Sequence, residues 1–346
     1  MEKKKVMIGM SGGVDSSVAA ILLKESGYDV IGATMELTSS TLDAKKVCDF
    51  LGIPHYTLNF KKEFQEFVID DFIKKYSECK TPNPCIECNR YLKFGAMYKK
   101  AQELGIDYIS TGHYAKTEWS EKYNRYAIKK SNSKSKDQTY VLCNIPKELV
   151  DKMIFPLGDF TDKQEIRKKA EEYGLNVANK PDSQEICFIP DSDYANFLEK
   201  ESNLKPDCGD IVSTKGEVLG RHNGLYRYTI GQRKGMGISS KEPLYVVKLD
   251  KEKNQLIVGN EEELYSNVLY AEDINLLLVD DVTEPMQVDA KIRYAMQAVP
   301  ATIYPMENGR MKVEFENPVR AITSGQAVVF YKDDYVLGGG KIMYTF

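Results

Sequence analysis

Patterns typical of strands and helices alternate along the first third of the chain, and this alternation constrains the fold more than any other feature. The predicted strands cover residues 6–10, 30–35, 55–58 and 108–111, and the predicted helices cover 16–26, 43–51, 63–76 and 92–104. Strands connected by helices normally pair in parallel, with the helices packed on both faces of the sheet. The sequence therefore predicts an α/β fold built on a parallel sheet.

The later part of the chain has a different pattern. The segment Thr161-Asp162-Lys163-Gln164 predicts a capping-box start for a helix that ends near Gly174, and residues 191–200 predict one more helix. From about residue 205 onward, turn signals recur about every 8 to 12 residues, which is typical of all-β domains. A length of 346 residues suits two or three domains. We expect domains at 1–203, 204–270 and 271–346.

Composition and charge restrict the functional classes. The apolar run that follows the first residues is too short, and too interrupted by glycine, for a signal peptide or a membrane span, so we expect a cytoplasmic protein with no membrane partner. The net charge is −4, so nucleic-acid binding would depend on a local basic patch. Basic residues with interleaved tyrosines, which would equally suit a solvated face, are Arg221, Tyr226, Arg227, Tyr228, Arg233 and Lys234.

A glycine-rich segment lies between the first predicted strand and the first predicted helix. Its residues are Ser11, Gly12, Gly13, Val14, Asp15 and Ser16. Glycine lets the backbone approach a ligand closely, and the amides at a helix N-terminus favour an anion. Asp15 can hold a Mg²⁺ that bridges phosphates, because hard cations take oxygen ligands. The segment lacks the Gly-Lys-Ser/Thr ending of the Walker loop. Its alternative interpretation is a tight turn with an N-capping serine.

The chain has seven cysteines, which in a cytosolic protein favour metal or redox chemistry over a disulfide framework. Cys85 and Cys88 form a Cys-x-x-Cys pair in a proline-stiffened loop, with Cys79 and Cys187 as candidate companions. A cysteine near a helix N-terminus and near Arg90 is expected to have a lowered pKa, and the thiolate is the reactive form. The alternative is a structural zinc site, although one Cys-x-x-Cys supplies only two of the four ligands. Taken alone, Cys187 has the pattern of a buried core cysteine.

The glycine-rich segment matches the pyrophosphate loop of the ATP-pyrophosphatase superfamily, whose members split ATP between its α- and β-phosphates to adenylate a substrate. Beyond it, the chain resembles the MnmA family of tRNA-specific 2-thiouridylases over essentially its whole length. The matching segments, in the family's order, cover residues 9–16, 83–94, 111–115, 135–138, 182–188, 228–235 and 293–294. The fold that this resemblance implies is an N-terminal ATP-pyrophosphatase domain, a small central β domain and a C-terminal β-barrel.

The resemblance also implies site residues, position by position. The implied ATP site consists of Gly9, Met10, Ser11, Gly12, Gly13, Val14, Asp15, Ser16, Met35 and Gly112. The residues implied to touch the target base are Asn83, Pro84 and Cys85, and those implied to contact tRNA elsewhere are His113, Lys136, Asp137, Gln138, Arg293, Tyr294 and Gln326. Cys88 is similar to the family's nucleophile and Cys187 to its persulfide carrier. Without the resemblance, His113 would be interpreted as a turn residue and residues 136–138 as a solvated loop.

The implied reaction uses ATP and Mg²⁺ to adenylate the C2 oxygen of the wobble uridine, because that oxygen is a poor leaving group. A persulfide on Cys187 then supplies the sulfur, and Cys88 takes up the resulting disulfide or releases hydrosulfide. The implied partners are the anticodon loop of tRNA, whose bases unstack more readily than those of a duplex, and a sulfur donor such as a cysteine desulfurase or a relay protein.

Two departures from the family pattern stand out. Cys85 occupies the position of an aspartate in the family's Asn-Pro-Asp-x-x-Cys loop, so a role of that aspartate as acid or base cannot be transferred. The segment after Met35 is also shorter than in many relatives. Because three thiolates suit an iron–sulfur cluster with one open iron, Cys85, Cys88 and Cys187 are candidate cluster ligands. The alternative is that Cys85 is a spare or resolving thiol.

Three competing functions remain open at this level. The first is an ATP-dependent ligase or amidating enzyme, since the same phosphate loop serves nitrogen nucleophiles. The second is a tRNA sulfurtransferase with a different target base. The third is a non-catalytic metal- or RNA-binding module, against which the intact phosphate loop argues.

Overall fold

The computed structural model describes residues 3–37, 42–176, 186–189, 193–202 and 204–343. Its first half contains β1 (Lys5–Gly9), α1 (Val14–Glu25), β2 (Asp29–Glu36), α2 (Leu42–Leu51), β3 (His55–Asn59), α3 (Lys61–Phe64), α4 (Asp70–Ser77), α5 (Pro84–Glu87), α6 (Met97–Glu103), β4 (Tyr108–Ser110), β5 (Ala115–Ser120), β6 (Arg125–Lys130), β7 (Met153–Ile154), α7 (Lys163–Glu172) and α8 (Tyr194–Glu201). Strands β3, β2, β1, β4 and β7 form a sheet in that order, and each neighbouring pair is parallel. The predicted parallel sheet is confirmed.

Side chains alternate across this sheet and meet two different apolar cores. Val6 and Ile8 of β1 face the core shared with α1 and α7, whereas Met7 faces the core that contains Phe94 and Met97. Both faces are therefore covered, as parallel sheets require. The second core continues into residues 327–336 near the C-terminus, so the sheet and the last β domain share buried contacts.

The helix that carries the cysteine pair begins earlier than the sequence predicts. It starts at Pro84 and runs through a π-helical stretch, Cys88–Ala96, into α6, whereas the sequence predicts a helix from residue 92. The Asn83 side chain caps it by accepting from the Cys85 amide, at 3.2 Å. Proline is favoured at the first helical position because its missing N–H would have no partner there. The Asn-Pro pair therefore starts a helix, and the prediction of a loop was wrong.

Two other helix starts also differ from the sequence prediction. The N-cap of α7 is Asp162, whose partner in the capping box is Glu165, so the box lies one residue later than predicted. Helix α8 starts at Tyr194 behind the N-cap Asp193, while residues 191 and 192 of the predicted helix lie outside the described residues. Predicted helix 63–76 is continuous from Lys61 to Ser77, with a π-helical stretch between α3 and α4.

The rest of the described chain is rich in β-structure. It contains β8 (Cys208–Ser213), β9 (Val218–Asn223), β10 (Tyr245–Asp250), β11 (Gln255–Gly259), β12 (Tyr265–Leu276), β13 (Met286–Lys291), β14 (Val299–Pro305), β15 (Met311–Arg320), β16 (Ala327–Lys332) and β17 (Tyr335–Ile342). Strands β10, β11, β8 and β9 form one sheet. Strands β12, β15, β14, β13, β16 and β17 form the other, and β12 also pairs with β17, which closes an antiparallel barrel. The predicted β architecture is confirmed.

The barrel also receives a hairpin from the first half of the chain. Strands β5 and β6 extend its sheet through a pairing of Lys129 with Tyr335. Strand β12 spans the predicted boundary near Tyr270. The boundaries at 203 and 270 stay predictions. Within the described ranges, no helix is long and apolar enough to cross a membrane.

Candidate functional site

The glycine-rich segment forms the turn between β1 and α1. Gly12 has φ +73°, a conformation that favours glycine, and a Cβ there would lie 2.9 Å from Cβ of Asp43. The N-cap of α1 is Gly13, which has no side chain and so makes no capping hydrogen bond to the first amides of the helix. Ser11 is not the N-cap, so the alternative interpretation as a serine-capped turn was wrong. The first amides of a twelve-residue helix consequently face the turn without a capping side chain, which is the arrangement of an anion site.

Asp15, the predicted Mg²⁺ ligand, lies in the first turn of α1 and is held by two other side chains. Nζ of Lys163 is 2.6 Å from each of its carboxylate oxygens. The Tyr114 hydroxyl donates to Oδ1 at 2.8 Å. About one third of the Asp15 side chain is exposed, at 33%. An accessible carboxylate beside an anion site fits a hard divalent cation.

The other residues of the implied ATP site lie at the same edge of the sheet. Strands β1, β2 and β4 all end there, because they are parallel. Met35 is near the end of β2, and Gly112 follows β4. A Cβ on Gly112 would lie 2.9 Å from the amide nitrogen of Ser16, so this segment closely approaches the turn. The chain reverses its direction of strand addition between β1 and β4, where open α/β sheets bind their ligands.

The cysteine pair lies at the start of the helix that begins at Pro84, with one cysteine exposed and the other buried. Cys85 is exposed and Cys88 is buried. Burial raises the pKa of Cys88 to about 11, although the nearby Lys93 acts in the opposite direction. Arg90 is engaged elsewhere, in an ion pair with Asp273 at 3.1 Å. The expectation of a lowered pKa was therefore wrong for Cys88, because desolvation outweighs the nearby cation.

Cys187 lies near this pair. It is exposed, which contradicts the core interpretation, but surrounding protein desolvates the thiol and raises its pKa, as does the charge of Cys85. The adjacent Phe188 packs edge-to-face on Phe64 and Phe72, in the apolar core that includes Cys88. Cys88 and Phe188, the neighbour of Cys187, share this core, and repulsion from Cys85 and Cys187 adds to the raised pKa of Cys88, so the three cysteines lie in one region of the molecule. Residues 182–185 of the matching motif lie outside the described residues.

The structure does not arrange the three thiols as a metal site. Within the described part of the chain, which includes all three, no group of three or more His, Cys, Asp or Glu side chains is placed to hold a metal ion. The predicted cluster site is thus not formed in this arrangement. Cys79 is buried in the core of the central sheet with Ile211 and Leu256, so the prediction that it accompanies the pair was wrong.

Several residues implied to contact tRNA make hydrogen bonds within the protein. Asn83 caps the cysteine helix, as described above. The Gln326 amide donates to the carbonyl oxygens of Thr81 and Pro82, at 2.9 and 3.3 Å. The Arg293 guanidinium donates to the carbonyl oxygens of Ile230 and Ala321 and to the Thr323 hydroxyl. These side chains shape the site, and their contacts to tRNA stay predictions.

His113 is likewise enclosed. Its Nδ1 is 2.6 Å from the Thr111 hydroxyl, and its ring packs beside Phe94 and Phe155, which also contact each other. Burial holds the pKa of His113 well below its usual value, and Lys93 adds to this effect. The buried imidazole is therefore neutral and makes contacts within the protein, and its contact to tRNA stays a prediction.

Other residues implied to contact tRNA are accessible or half-buried. Tyr294 is 45% exposed and lies edge-to-face on Tyr140, with Nζ of Lys291 5.5 Å from its ring. Lys136 and Asp137 are half-buried, and Gln138 exchanges two hydrogen bonds with the backbone of Tyr114 at 2.9 Å.

The predicted basic patch is only partly formed. Tyr226 and Tyr228 are buried, so they do not interleave with the exposed basic side chains. Arg227 forms an ion pair with Glu199. Arg233 and Lys234 are exposed.

Sequence reasoning missed Lys163 and Glu87. Both have polar partners far away in the sequence: Lys163 binds Asp15, and Glu87 is buried between Lys75 and Lys341. In the local sequence, only their positions distinguish these two residues: Lys163 directly follows the N-cap of α7, and Glu87 lies between the two cysteines of the pair.

Comparisons with known proteins agree with this architecture. Residues 4–191 match a family described as a tRNA methyl transferase HUP domain, residues 195–260 a tRNA methyl transferase PRC-barrel domain, and residues 266–342 an aminomethyltransferase beta-barrel domain. A protein of Acetivibrio thermocellus named tRNA-specific 2-thiouridylase MnmA is 50% identical, with 99% of this chain and 100% of that protein covered. Proteins of the same name from Clostridioides difficile and Clostridium acetobutylicum are 49% and 50% identical; the matches cover 98% of this chain, and 98% and 99% of those proteins.

Among solved structures, an NMN synthetase from Francisella tularensis aligns with 53% of this chain and 67% of its own, at 17% identity and a TM-score of 0.33. This likeness is too slight to indicate a ligand.

Proposed function

The chain belongs to the MnmA family of tRNA-specific 2-thiouridylases, and we propose that it catalyses the ATP-dependent 2-thiolation of the wobble uridine of tRNA. The observation that carries the proposal is about 50% identity to proteins of that name over 98% or more of both chains. The packing supports it, because Met35, at the same edge of the sheet as the phosphate turn, packs against the core that contains Cys88 and Phe188.

Adenylation is the first step of the proposed reaction. The uncapped amides of α1 and the Gly12 turn bind the phosphates of ATP, and Asp15 holds Mg²⁺ against them. The C2 oxygen of the uridine attacks the α-phosphorus, and pyrophosphate leaves. Gly112 allows the segment after β4 to approach the phosphate turn, since a Cβ there would press on Asp15 and Ser16.

Sulfur transfer is the second step. The terminal sulfur of a persulfide on Cys187 bonds to C2 and displaces AMP. The Cys88 thiolate then attacks the inner sulfur of Cys187, which forms a Cys88–Cys187 disulfide and leaves the sulfur on the base; a thiol reductant restores the pair. The alternative within the same proposal is attack of Cys88 on the persulfide to release hydrosulfide. Burial raises the pKa of Cys88 to about 11, so the thiol is protonated at neutral pH in the free protein and has to lose its proton before it attacks.

The RNA side of the proposal is the anticodon loop. Tyr294 offers an exposed ring on which an unstacked base can lie. Its hydroxyl has a hydrogen bond with Gln138, and Lys136, two residues before Gln138, supplies positive charge in the same segment. The sulfur donor in this proposal is a cysteine desulfurase or a relay protein, and the compartment is the cytoplasm. We keep the domain division 1–203, 204–270 and 271–346 as part of the proposal.

The direct test is reconstitution. Purified protein is incubated with ATP, Mg²⁺, a sulfur donor and unmodified tRNA, and the tRNA nucleosides are analysed by mass spectrometry. We expect 2-thiouridine at the wobble position together with AMP and pyrophosphate. Sulfur at another position would indicate a different target base, and ADP without thiolation would contradict the proposal. Amide formation in place of thiolation would favour the ligase alternative.

Two variants separate the steps. Asp15→Ala is expected to abolish pyrophosphate release, because the cation loses its carboxylate ligand. Cys187→Ser is expected to retain pyrophosphate release and to lose thiolation, because serine carries no persulfide. Sustained thiolation by Cys187→Ser would exclude its role as carrier.

The role of Cys85 is tested by measuring the iron content of the protein together with its activity. A cluster would require the three thiols to rearrange, since they do not form a metal site in this structure. Anaerobically purified wild type and Cys85→Ser are compared for iron, sulfide and thiolation. Full activity in iron-free protein would exclude a cluster. Activity that follows iron content and is lost in Cys85→Ser would make Cys85 a ligand.

A further inference from the structure

Lys163, which no motif assigns, reaches from helix α7 into the phosphate loop. It is the first residue of α7, and its side chain is only 11% exposed. Its Nζ lies 2.6 Å from both oxygens of Asp15, so the ammonium lies in front of the carboxylate that the proposed function gives to Mg²⁺. The ammonium and the proposed Mg²⁺ would therefore compete for one carboxylate.

The position of Lys163 is set by a rigid support. Asp162 and Glu165 form a complete capping box around the first turn of α7. The buried Ile166 and Ala170 of α7 pack into the core that contains α1, so the two helices hold a constant spacing. The long side chain alone can move, by rotation about its own bonds.

Tyr114 holds Asp15 independently of the lysine. Its hydroxyl donates to Oδ1 of Asp15 at 2.8 Å, and Nζ of Lys163 lies 5.9 Å from its ring. The backbone of Tyr114 is itself fixed by two hydrogen bonds with Gln138. Asp15 therefore stays oriented when the ammonium leaves it.

The charge balance at the loop changes when a nucleotide binds. Without one, Lys163 neutralises Asp15. A triphosphate with its divalent ion brings excess negative charge to the amides of α1, and the divalent ion competes for the same carboxylate oxygens. An ammonium group a few ångströms from the loop then has stronger acceptors in the phosphate oxygens.

We propose that Lys163 is a phosphate ligand that exchanges partners: it occupies Asp15 in the nucleotide-free protein and moves to the phosphates when the divalent ion takes the carboxylate. It stays with the pyrophosphate until that group leaves. This inference rests on the proposed use of ATP, but not on the sulfur chemistry.

If Lys163 exchanges partners in this way, Lys163→Met should strengthen the binding of a divalent ion and weaken the binding of phosphate ligands. Binding of Mn²⁺ alone to the nucleotide-free protein, followed by electron paramagnetic resonance, should strengthen about threefold to tenfold, because Asp15 loses a competitor. Binding of Mg²⁺-pyrophosphate and of a non-hydrolysable Mg²⁺-ATP analogue, followed by calorimetry, should weaken about tenfold to a hundredfold, the size of one charge-assisted hydrogen bond. Lys163→Arg keeps the charge and should recover a large part of the phosphate binding.

Lys169 supplies the matched control. It lies on the same helix and pairs with Glu25 of α1 at 2.9 Å, away from the loop. Lys169→Met should leave both binding constants unchanged. The inference is overturned if Lys163→Met binds the phosphate ligands as wild type does, or if its Mn²⁺ binding weakens, since a purely structural lysine would misplace Asp15. A different outcome concerns the proposed function alone. If the wild-type protein binds Mg²⁺-ATP and the variants behave as expected but the protein forms no 2-thiouridine, the proposed function is contradicted and this inference stands.

Discussion

Lys341, on the last strand of the barrel, completes an ion-pair network at the cysteine helix. Its Nζ lies 3.0 Å from Glu87 and 3.0 Å from Asp273. Glu87 stands between the two cysteines of the pair, is only 3% exposed, and has Lys75 as its second cation at 3.1 Å. The barrel therefore determines where the thiol-bearing helix lies.

Replacing Lys341 by Met keeps most of the side-chain volume and removes the charge. A buried charge that loses its partner costs about 3–5 kcal/mol. Lys75 still compensates Glu87, so we expect a loss of about 1–3 kcal/mol in the free energy of unfolding. For a chain of this length that corresponds to a melting temperature roughly 1–4 °C lower. Since small displacements of reacting groups cost up to about a hundredfold in rate, thiolation should fall more than tenfold.

The assay is thermal melting followed by circular dichroism, together with 2-thiouridine formation and pyrophosphate release by the same protein. Pyrophosphate release should remain near wild type, because the phosphate loop is not part of the network. Lys312→Met is the control: Lys312 pairs with Glu314 at 2.8 Å on the barrel surface, where an ion pair contributes only about 0–1 kcal/mol.

A second variant tests the cause. Adding Glu87→Gln to Lys341→Met should restore part of the lost stability, because a neutral amide needs no ammonium partner. If Lys341→Met melts and thiolates like Lys312→Met, the claim that the barrel positions the cysteine helix is refuted.

Three further predictions concern the site. Gly12→Ala should destabilise the protein and reduce ATP binding, because a Cβ there would press on Asp43. Gly105→Ala is the control: Gly105 has φ +66° but open space around it, so its replacement should cost only the backbone strain of about 1 kcal/mol. Equal effects of the two variants on the melting temperature and on nucleotide binding would contradict the close approach at Gly12. The rate of Cys88 alkylation, followed by peptide mass spectrometry, should keep rising with pH toward about 11, and a plateau below pH 9 would argue against burial. Tyr294→Ala should weaken tRNA binding by about 1–3 kcal/mol in filter binding while Tyr294→Phe retains it, since stacking needs only the ring.

Much of the phosphate site could be predicted from local sequence. A strand, a glycine-rich turn and a helix with Asp15 in its first turn follow from residues adjacent in the chain, and the structure places them as expected. The start of the cysteine helix was missed although its signal is local, because a proline was interpreted as a loop element when it is the first residue of a capped helix.

The properties of the cysteines were less predictable, because a pKa depends on the whole environment. A helix start and a nearby Arg90 favour a thiolate, yet the pKa of Cys88 is raised. The apolar groups that desolvate Cys88 come from other segments, including Phe64 and Phe188, and Arg90 is taken by Asp273.

By itself, the sequence determined the parallel sheet, the phosphate loop, the β-rich second half and, through its ordered motifs, the family. These features depend on periodicity and on residues that are neighbours in the chain. Only the tertiary structure decided that Lys163 faces Asp15, that the barrel holds the cysteine helix through Lys341, and that Gln326 binds the backbone before that helix. Such contacts join residues about 150 to 250 positions apart, and their partners are chosen by the packing of whole elements, which local patterns do not encode.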